Sequence, residues 1–109
     1  MSLVKVAVEL DVYTAPALRE VLVDLINQGR YFLVVDLSAI EHFDSTGVGV
    51  LVGALKRVYV QAGALAVVAT SGRVLKQFRI TGLTKVFPIF QTVHPAVEYL
   101  GRKDLRTHA

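Results

Sequence analysis

The residues best suited to chemistry lie in one stretch, residues 42–53, with the sequence HFDSTGVGVLVG. The stretch offers a carboxylate, two hydroxyls and closely spaced glycines where a buried strand is predicted to end and a helix to begin. Ligand and modification sites in open α/β sheets favour this end of the strands. Three kinds of chemistry are therefore considered for it: phosphate binding, hydrolysis, and modification of a hydroxyl by another protein.

A phosphate-binding loop has partial support in the glycines. Gly47 and Gly49 resemble the opening of a dinucleotide-binding fingerprint, but Val52 stands where its third glycine is required. A P-loop is excluded, because the chain has no glycine-lysine-serine or glycine-lysine-threonine run. The sequence therefore gives no support to nucleotide catalysis.

A hydrolase would need Ser45 to be paired with a base that a third group orients. Asp44 adjoins Ser45, and the histidines of the chain are His42, His94 and His108, none of which the pattern places beside the hydroxyl. Paired carboxylates for glycoside chemistry and clusters of metal ligands are also missing. The sequence predicts no enzyme, no metal and no cofactor.

The third interpretation makes Ser45 the substrate of another protein. A hydroxyl on the first turn of a helix is accessible to a kinase, and a phosphate there would meet free amide hydrogens and the positive end of the helix dipole. It would also add like charge beside Asp44. The alternative is purely structural: Ser45 and Thr46 are ordinary N-caps, and the glycines allow close helix–sheet packing.

Alternating hydrophobic periods predict the elements that position this stretch. Strands are predicted at residues 3–10, 31–37, 64–69 and 86–90, and helices at residues 14–29, 45–62, 71–81 and 93–100. Thr14 and Ser71 are the predicted N-caps of two of the helices, and Pro88 indicates an edge strand. This alternation is typical of an α/β sheet with mainly parallel neighbours and right-handed crossovers.

Composition narrows the class of protein. The chain has 109 residues, 53% hydrophobic and 19% charged, which predicts a folded domain rather than a disordered one. It has no cysteine, which excludes disulfides and thiolate metal sites. The net charge of +3 is scattered, so direct nucleic-acid binding is not expected. We find no signal-peptide or membrane-spanning pattern, and expect a soluble cytoplasmic protein.

Four segments together resemble a known family. They are residues 9–16 (ELDVYTAP), 35–38 (VDLS), 43–49 (FDSTGVG) and 81–83 (TGL). They resemble the anti-sigma-factor antagonists, a bacterial family of STAS domains, in order and over nearly the whole chain. The resemblance implies an α/β fold, with a STAS-like mixed sheet of four to five strands and about four helices packed mainly on one face. Residues 1–100 would form the single domain and residues 101–109 a polar, mobile tail.

The resemblance also implies a switch protein that is not an enzyme. The unphosphorylated antagonist would bind an anti-sigma factor that is also a serine kinase, and so release a sigma factor to RNA polymerase. The kinase would then phosphorylate the antagonist and end the binding, and a separate serine phosphatase would reset it. Because the kinase holds its own ATP, no cofactor is expected here.

The family's residues are carried onto this chain by position. Ser45 would be the phosphoacceptor and Asp44 its essential neighbour, while Thr46 and Gly47 would shape the start of the helix. Asp11 would belong to the turn beside them, and all five would contact the partner. The alternative within the fold is a STAS module that does not switch, either stressosome-like or transporter-associated. The Asp44–Ser45 pair favours the switch.

One departure from the family pattern concerns the N-terminal strand. Family members usually have another strand ahead of it and a glycine where Val8 stands here. A strand edge left unpaired invites pairing with a second chain. We therefore expect a homodimer formed through residues 4–8.

Overall fold

The computed structural model describes residues 1–104 and contains one four-stranded sheet. Its strands lie in chain order and pair in parallel: β1 (Ser2–Lys5), β2 (Phe32–Asp36), β3 (Ala64–Val68) and β4 (Ile89–Phe90). The helices are α1 (Ala15–Asn27), α2 (Ser45–Val60), α3 (Gly72–Ile80) and α4 (Val93–Lys103). The predicted α/β fold is confirmed, but the three strand pairs of this region are all parallel, whereas a mixed sheet was predicted.

Two hydrophobic cores form because successive strand residues point to opposite faces of the sheet. Leu33, Val35 and Val67 belong to the larger core, which also contains residues of α1, α2 and α3. Val34 and Ala66 belong to the smaller core, which α4 covers. Three helices therefore pack on one face and α4 on the other, as the prediction of helices mainly on one face requires.

The N-terminal strand is shorter than the predicted residues 3–10. It ends at Lys5, and the Val6 N–H still donates to the Asp36 carbonyl at 3.0 Å. Because β2 itself ends at Asp36, the chain beyond Val6 has no further residues of β2 with which to pair. It meets β2's continuation again only at Leu10, which forms a single parallel bridge with Phe43.

Two predicted helix caps occupy the right position without making the expected bond. Thr14 and Ser71 are the N-cap residues of α1 and α3, but neither side chain bonds to its helix. The Thr14 hydroxyl instead accepts the Asp11 N–H at 3.0 Å and donates to the Glu9 carbonyl. Thr14 therefore stabilises the turn before α1 rather than the helix end.

The C-terminal half differs from prediction in two boundaries. The last strand is only Ile89–Phe90, because a 3₁₀ turn at Leu83–Lys85 and Pro88 precede it. Helix α4 continues through Lys103, three residues beyond the predicted end, and Asp104 is buried. The rest of the predicted tail, residues 105–109, lies outside the described residues. Within residues 1–104, every helix is too short or too polar to cross a membrane.

Candidate functional site

Asp44 holds the start of α2. Its carboxylate accepts the backbone N–H groups of Thr46 at 2.9 Å and Gly47 at 3.3 Å. These amides belong to the first turn, which has no carbonyl partners within the helix. The prediction that Ser45 and Thr46 cap α2 is therefore wrong. The backbone of Asp44 is extended (φ −98°, ψ −174°) and directs its carboxylate over the first turn, so Asp44 is the N-cap and Ser45 is the first helical residue.

Ser45 lies exposed at the first position of the helix. Within residues 1–104, its hydroxyl forms no hydrogen bond and fills no capping role. Thr46 is partly buried and Gly47 is buried, so accessibility falls along the first turn. Of the two hydroxyls here, the Ser45 hydroxyl is the one open to an approaching enzyme.

Gly47 allows the helix to pack closely on the preceding loop. A Cβ atom at this position would lie 2.9 Å from two carbons of the Phe43 ring and 3.2 Å from Leu10 Cβ. Phe43 is itself fixed, because it is buried and stacks on Phe78 with ring centroids 5.2 Å apart. Only glycine fits without movement, so the start of α2 is placed directly against Phe43 and Leu10.

Glu9 braces the site loop, defined here as residues 41–44. Its carboxylate accepts the N–H of Glu41 at 3.0 Å and that of His42 at 2.5 Å. These bonds lower the pKa of the Glu9 carboxyl, with the Glu41 amide as the main cause and the His42 amide next. Sequence reasoning missed this role. The one sequence feature that pointed to Glu9 was its place in the ELDVYTAP segment. The hydrogen bonds themselves could not be predicted locally, because the two amides lie 32 and 33 residues away in the chain.

Asp11 shapes the turn that lies beside the site loop. Its carboxylate accepts the N–H groups of Tyr13 at 2.8 Å and Thr14 at 3.0 Å, and these bonds lower its pKa, the Tyr13 amide most. The preceding residue, Leu10, accepts the Asp44 N–H at 3.3 Å. The structure thus brings the turn of the predicted site residue Asp11 to the site loop, which carries Asp44 and leads directly into Ser45.

Apolar side chains stand exposed around the same turn. The exposed fraction is 57% for Val8, 58% for Val12 and 87% for Tyr13. Exposed apolar groups that cluster together mark interaction surfaces more often than isolated ones do. This turn and the site loop together suit contact with another protein.

The geometry gives no support to a hydrolase. Within the described chain, no imidazole is hydrogen-bonded to the Ser45 hydroxyl. His94 lies on α4 and pairs with Glu98 at 2.7 Å, while His108 lies outside the described residues. The same part of the chain holds no group of three potential metal ligands.

Comparison with known families gives a match over most of the chain. The sequence model of the STAS domain family matches residues 1–96 of this chain. The chain belongs to the STAS domain family. Its matched region includes the Asp11 turn, the site loop and α2, so this STAS domain carries its candidate site within the family core.

Similar proteins narrow the branch of the family. This STAS domain is 45% identical over 86 residues to the anti-sigma-B factor antagonist of Bacillus subtilis (strain 168), covering 79% of this chain and 78% of that protein. The crystal structure of an anti-sigma factor antagonist from Mycobacterium paratuberculosis superposes with a TM-score of 0.84 at 30% identity, covering 91% and 84% of the two chains. The resemblance to anti-sigma-factor antagonists is confirmed.

A third comparison concerns the fold alone. The Bacillus cell fate determinant SpoIIAA in its phosphorylated form superposes with a TM-score of 0.70 at 22% identity, covering 90% of this STAS domain and 89% of that chain.

Anti-sigma factor antagonists of this family are regulatory binding proteins. The prediction that the chain is not an enzyme is therefore confirmed.

Proposed function

We propose that this STAS domain is a cytoplasmic anti-sigma-factor antagonist that phosphorylation of Ser45 switches off. In the unphosphorylated form it binds an anti-sigma factor with serine kinase activity, and a sigma factor is released. A serine phosphatase restores the binding form. The observation that carries the proposal is the Ser45 hydroxyl, which is exposed on the first turn of α2 and has no hydrogen-bond partner among residues 1–104, in a protein similar to anti-sigma factor antagonists.

The partner would contact the surface formed by Asp44, Ser45 and the adjoining turn of Asp11. Thr46 and Gly47 contribute through the first turn of α2, whose position Gly47 sets. Because Glu9 and Leu10 bond to the site loop, the surface is already ordered before the partner arrives. A preformed surface reduces the entropy lost on binding.

Phosphorylation would act on this surface through charge. The amides of Thr46 and Gly47 are already bonded to Asp44, so a phosphate on Ser45 would not find them free as the sequence suggested. It would add a charge of about −1.5 to −2 beside an existing carboxylate. Unfavourable charge at an interface weakens binding, and the partner is released.

The modification site can be tested by intact-mass analysis and peptide mapping. The protein is incubated with ATP and candidate anti-sigma-factor kinases from its source bacterium. We expect a single phosphate on Ser45, absent in Ser45→Ala and retained in Thr46→Ala. Stable binding to such a factor without any phosphate would instead favour a STAS module that does not switch.

The effect of charge can be tested with Ser45→Asp. We expect its affinity for the anti-sigma factor to fall several-fold or more, because the carboxylate adds repulsion at the interface. Ser45→Asn is the matched control, since it has a similar size and no charge. Equal affinities of the two variants, both folded by circular dichroism, would contradict the switch.

We also propose that the protein forms a homodimer through β1. The Val6 N–H donates to β2, so in a parallel ladder the alternate residues Leu3 and Lys5 direct their backbone groups away from the sheet. Within residues 1–104, no strand pairs with this outer edge. Beside it, a groove of about 170 Å³ runs along residues 4–8 and α1, where the side chain of Val21 is 46% exposed.

A second copy of β1 would suit this edge. Val4 lies both in β1 and along the groove, and an antiparallel register centred on Val4 avoids placing two Lys5 side chains opposite each other. Light scattering should show a dimer at high concentration. Lys5→Pro should give a folded monomer, because it removes an outward N–H and an edge strand tolerates proline there. A monomeric wild type would contradict the proposal.

A further inference from the structure

A cleft of about 280 Å³ lies between the site loop and α3. The loop side is formed by Glu41, His42 and Phe43, and the helix side by Arg73, Lys76, Gln77 and Ile80. The four helix residues are spaced at i, i+3, i+4 and i+7, so they share one face of α3. We call this feature the basic cleft.

The charge of the basic cleft is unbalanced. Every charged residue of α3 is a cation, and Arg73 and Lys76 are both exposed. In the described part of the chain neither forms an ion pair, although Glu41 lines the same cleft. Two cations thus face one carboxylate and His42, and a further anion can be accommodated.

The floor of the cleft is apolar and firmly held. Phe43 is buried and stacks on Phe78 of α3, with ring centroids 5.2 Å apart. Ile80, at the end of the helix face, has 67% of its surface exposed. An occupant can therefore combine carboxylates for the two cations with an apolar side chain for this floor.

We propose that the basic cleft receives an acidic segment, carrying an apolar side chain, of the protein partner that docks at Ser45. The inference rests on the proposed function in its choice of partner. The connection is direct, because His42 and Phe43 line the cleft and immediately precede Asp44 and Ser45. Opposite charges would speed the encounter and fix the orientation of the partner.

The first test uses a defined probe, the peptide Glu-Glu-Leu-Glu-Glu, titrated into the ¹⁵N-labelled protein. We expect amide shifts at residues 41–43 and 73–80 that diminish with added salt. The peptide Gln-Gln-Leu-Gln-Gln should cause much smaller shifts. Shifts spread elsewhere, no shifts, or equal binding of inorganic phosphate (a small-anion site only) would each overturn the proposal.

The second test uses charge reversal and binding to the anti-sigma factor. Arg73→Glu with Lys76→Glu should lower affinity about tenfold or more, whereas Arg19→Glu with Lys56→Glu should change it little. The control pair makes the same change in net charge at exposed positions on α1 and α2. Equal effects of the two pairs would overturn the role of the cleft.

The two proposals can fail separately. Loss of affinity in Ser45→Asp, with equal effects of the two charge-reversal pairs, would leave the switch standing without the cleft. A wild type that binds no anti-sigma factor would contradict the proposed function and with it the docking partner assigned to the cleft. The peptide titration would then decide only whether the cleft binds an acidic segment.

Discussion

Asp44 and Ser45 are neighbours in sequence with different structural roles. The Asp44 carboxylate bonds to two amides of α2, while the Ser45 hydroxyl, exposed at the next position, has no partner in residues 1–104. Because the carboxylate does the capping, the serine hydroxyl is not needed for the fold. The hydroxyl that best suits modification is therefore the one that takes no part in capping the helix.

This division predicts different stabilities for two variants. Asp44→Ala should lower the free energy of unfolding by about 1 kcal/mol, because it removes the cap. Ser45→Ala should change it by less than about 0.5 kcal/mol, as expected for an exposed residue without a partner. Urea denaturation of both variants measures the difference. Equal losses would show that the hydroxyl shares the capping role.

Glu9 and Asp11 predict how stability depends on pH. Backbone amides lower the pKa of both carboxyls in the folded state, mainly those of Glu41 for Glu9 and Tyr13 for Asp11. A lowered folded pKa adds stability above the unfolded value, and that stability is lost as pH falls through the folded value. Stability should therefore decline from roughly pH 4.3 downward, near the ordinary carboxyl range.

Glu9→Gln tests the origin of this decline. The amide side chain does not titrate, so the variant should be less stable at pH 7 and lose less stability between pH 5 and pH 3 by thermal denaturation. Asp24→Asn, at an exposed position on α1, is the control and should keep the wild-type slope. A Glu9→Gln slope equal to that of the wild type would contradict the bracing role.

At the scale of elements, the site depends on how α2 meets the loop before it. The helix starts against Phe43 and Leu10, and Leu10 comes from a different part of the chain. The first turn of α2 and the Asp11 turn are therefore held in one fixed arrangement. Small changes in side-chain volume at this junction should therefore displace the first turn of α2, which carries Ser45.

Gly47→Ala should be destabilising by about 1–3 kcal/mol, because the added methyl group overlaps a fixed ring. Gly49→Ala is the matched control on the same helix, since a Cβ there meets nothing within 4 Å. It should stabilise α2 by roughly 0.5–1 kcal/mol through its higher helix propensity. Thermal unfolding compares them, and equal signs would contradict the close packing.

Local sequence patterns predicted the elements better than the contacts between them. The parallel α/β fold, the glycine that ends α1 at Gly29 (φ +83°) and the edge position of β4 all follow from local residue types. The cap of α2 did not, because Asp44, Ser45 and Thr46 are all good capping residues and only backbone geometry selects among them. The Glu9 brace depends on tertiary structure, which no local pattern contains.

At the scale of the whole molecule, the candidate site and α4 belong to different layers. The site rests on the larger core, whereas Ala96 and Leu100 of α4 pack into the smaller core across the sheet. Stability contributed by α4 should therefore be separable from recognition at Ser45.

Leu100→Ala tests this separation. Leu100 is fully buried, and its truncation should lower the free energy of unfolding by about 2–5 kcal/mol. At a temperature where the variant remains folded, its rate of phosphorylation and its affinity for the anti-sigma factor should equal those of the wild type. A large loss of affinity in the folded variant would show that the two layers are coupled.

The Asp44 cap has a consequence for how the two proposed states differ. Since α2 is held without the Ser45 hydroxyl, a phosphate there requires no movement of the backbone. Both states can then share one conformation, and the free-energy difference that drives release arises only when the partner is present. The dynamic range of such a switch is set jointly by two proteins, so substitutions in the partner alone could retune it.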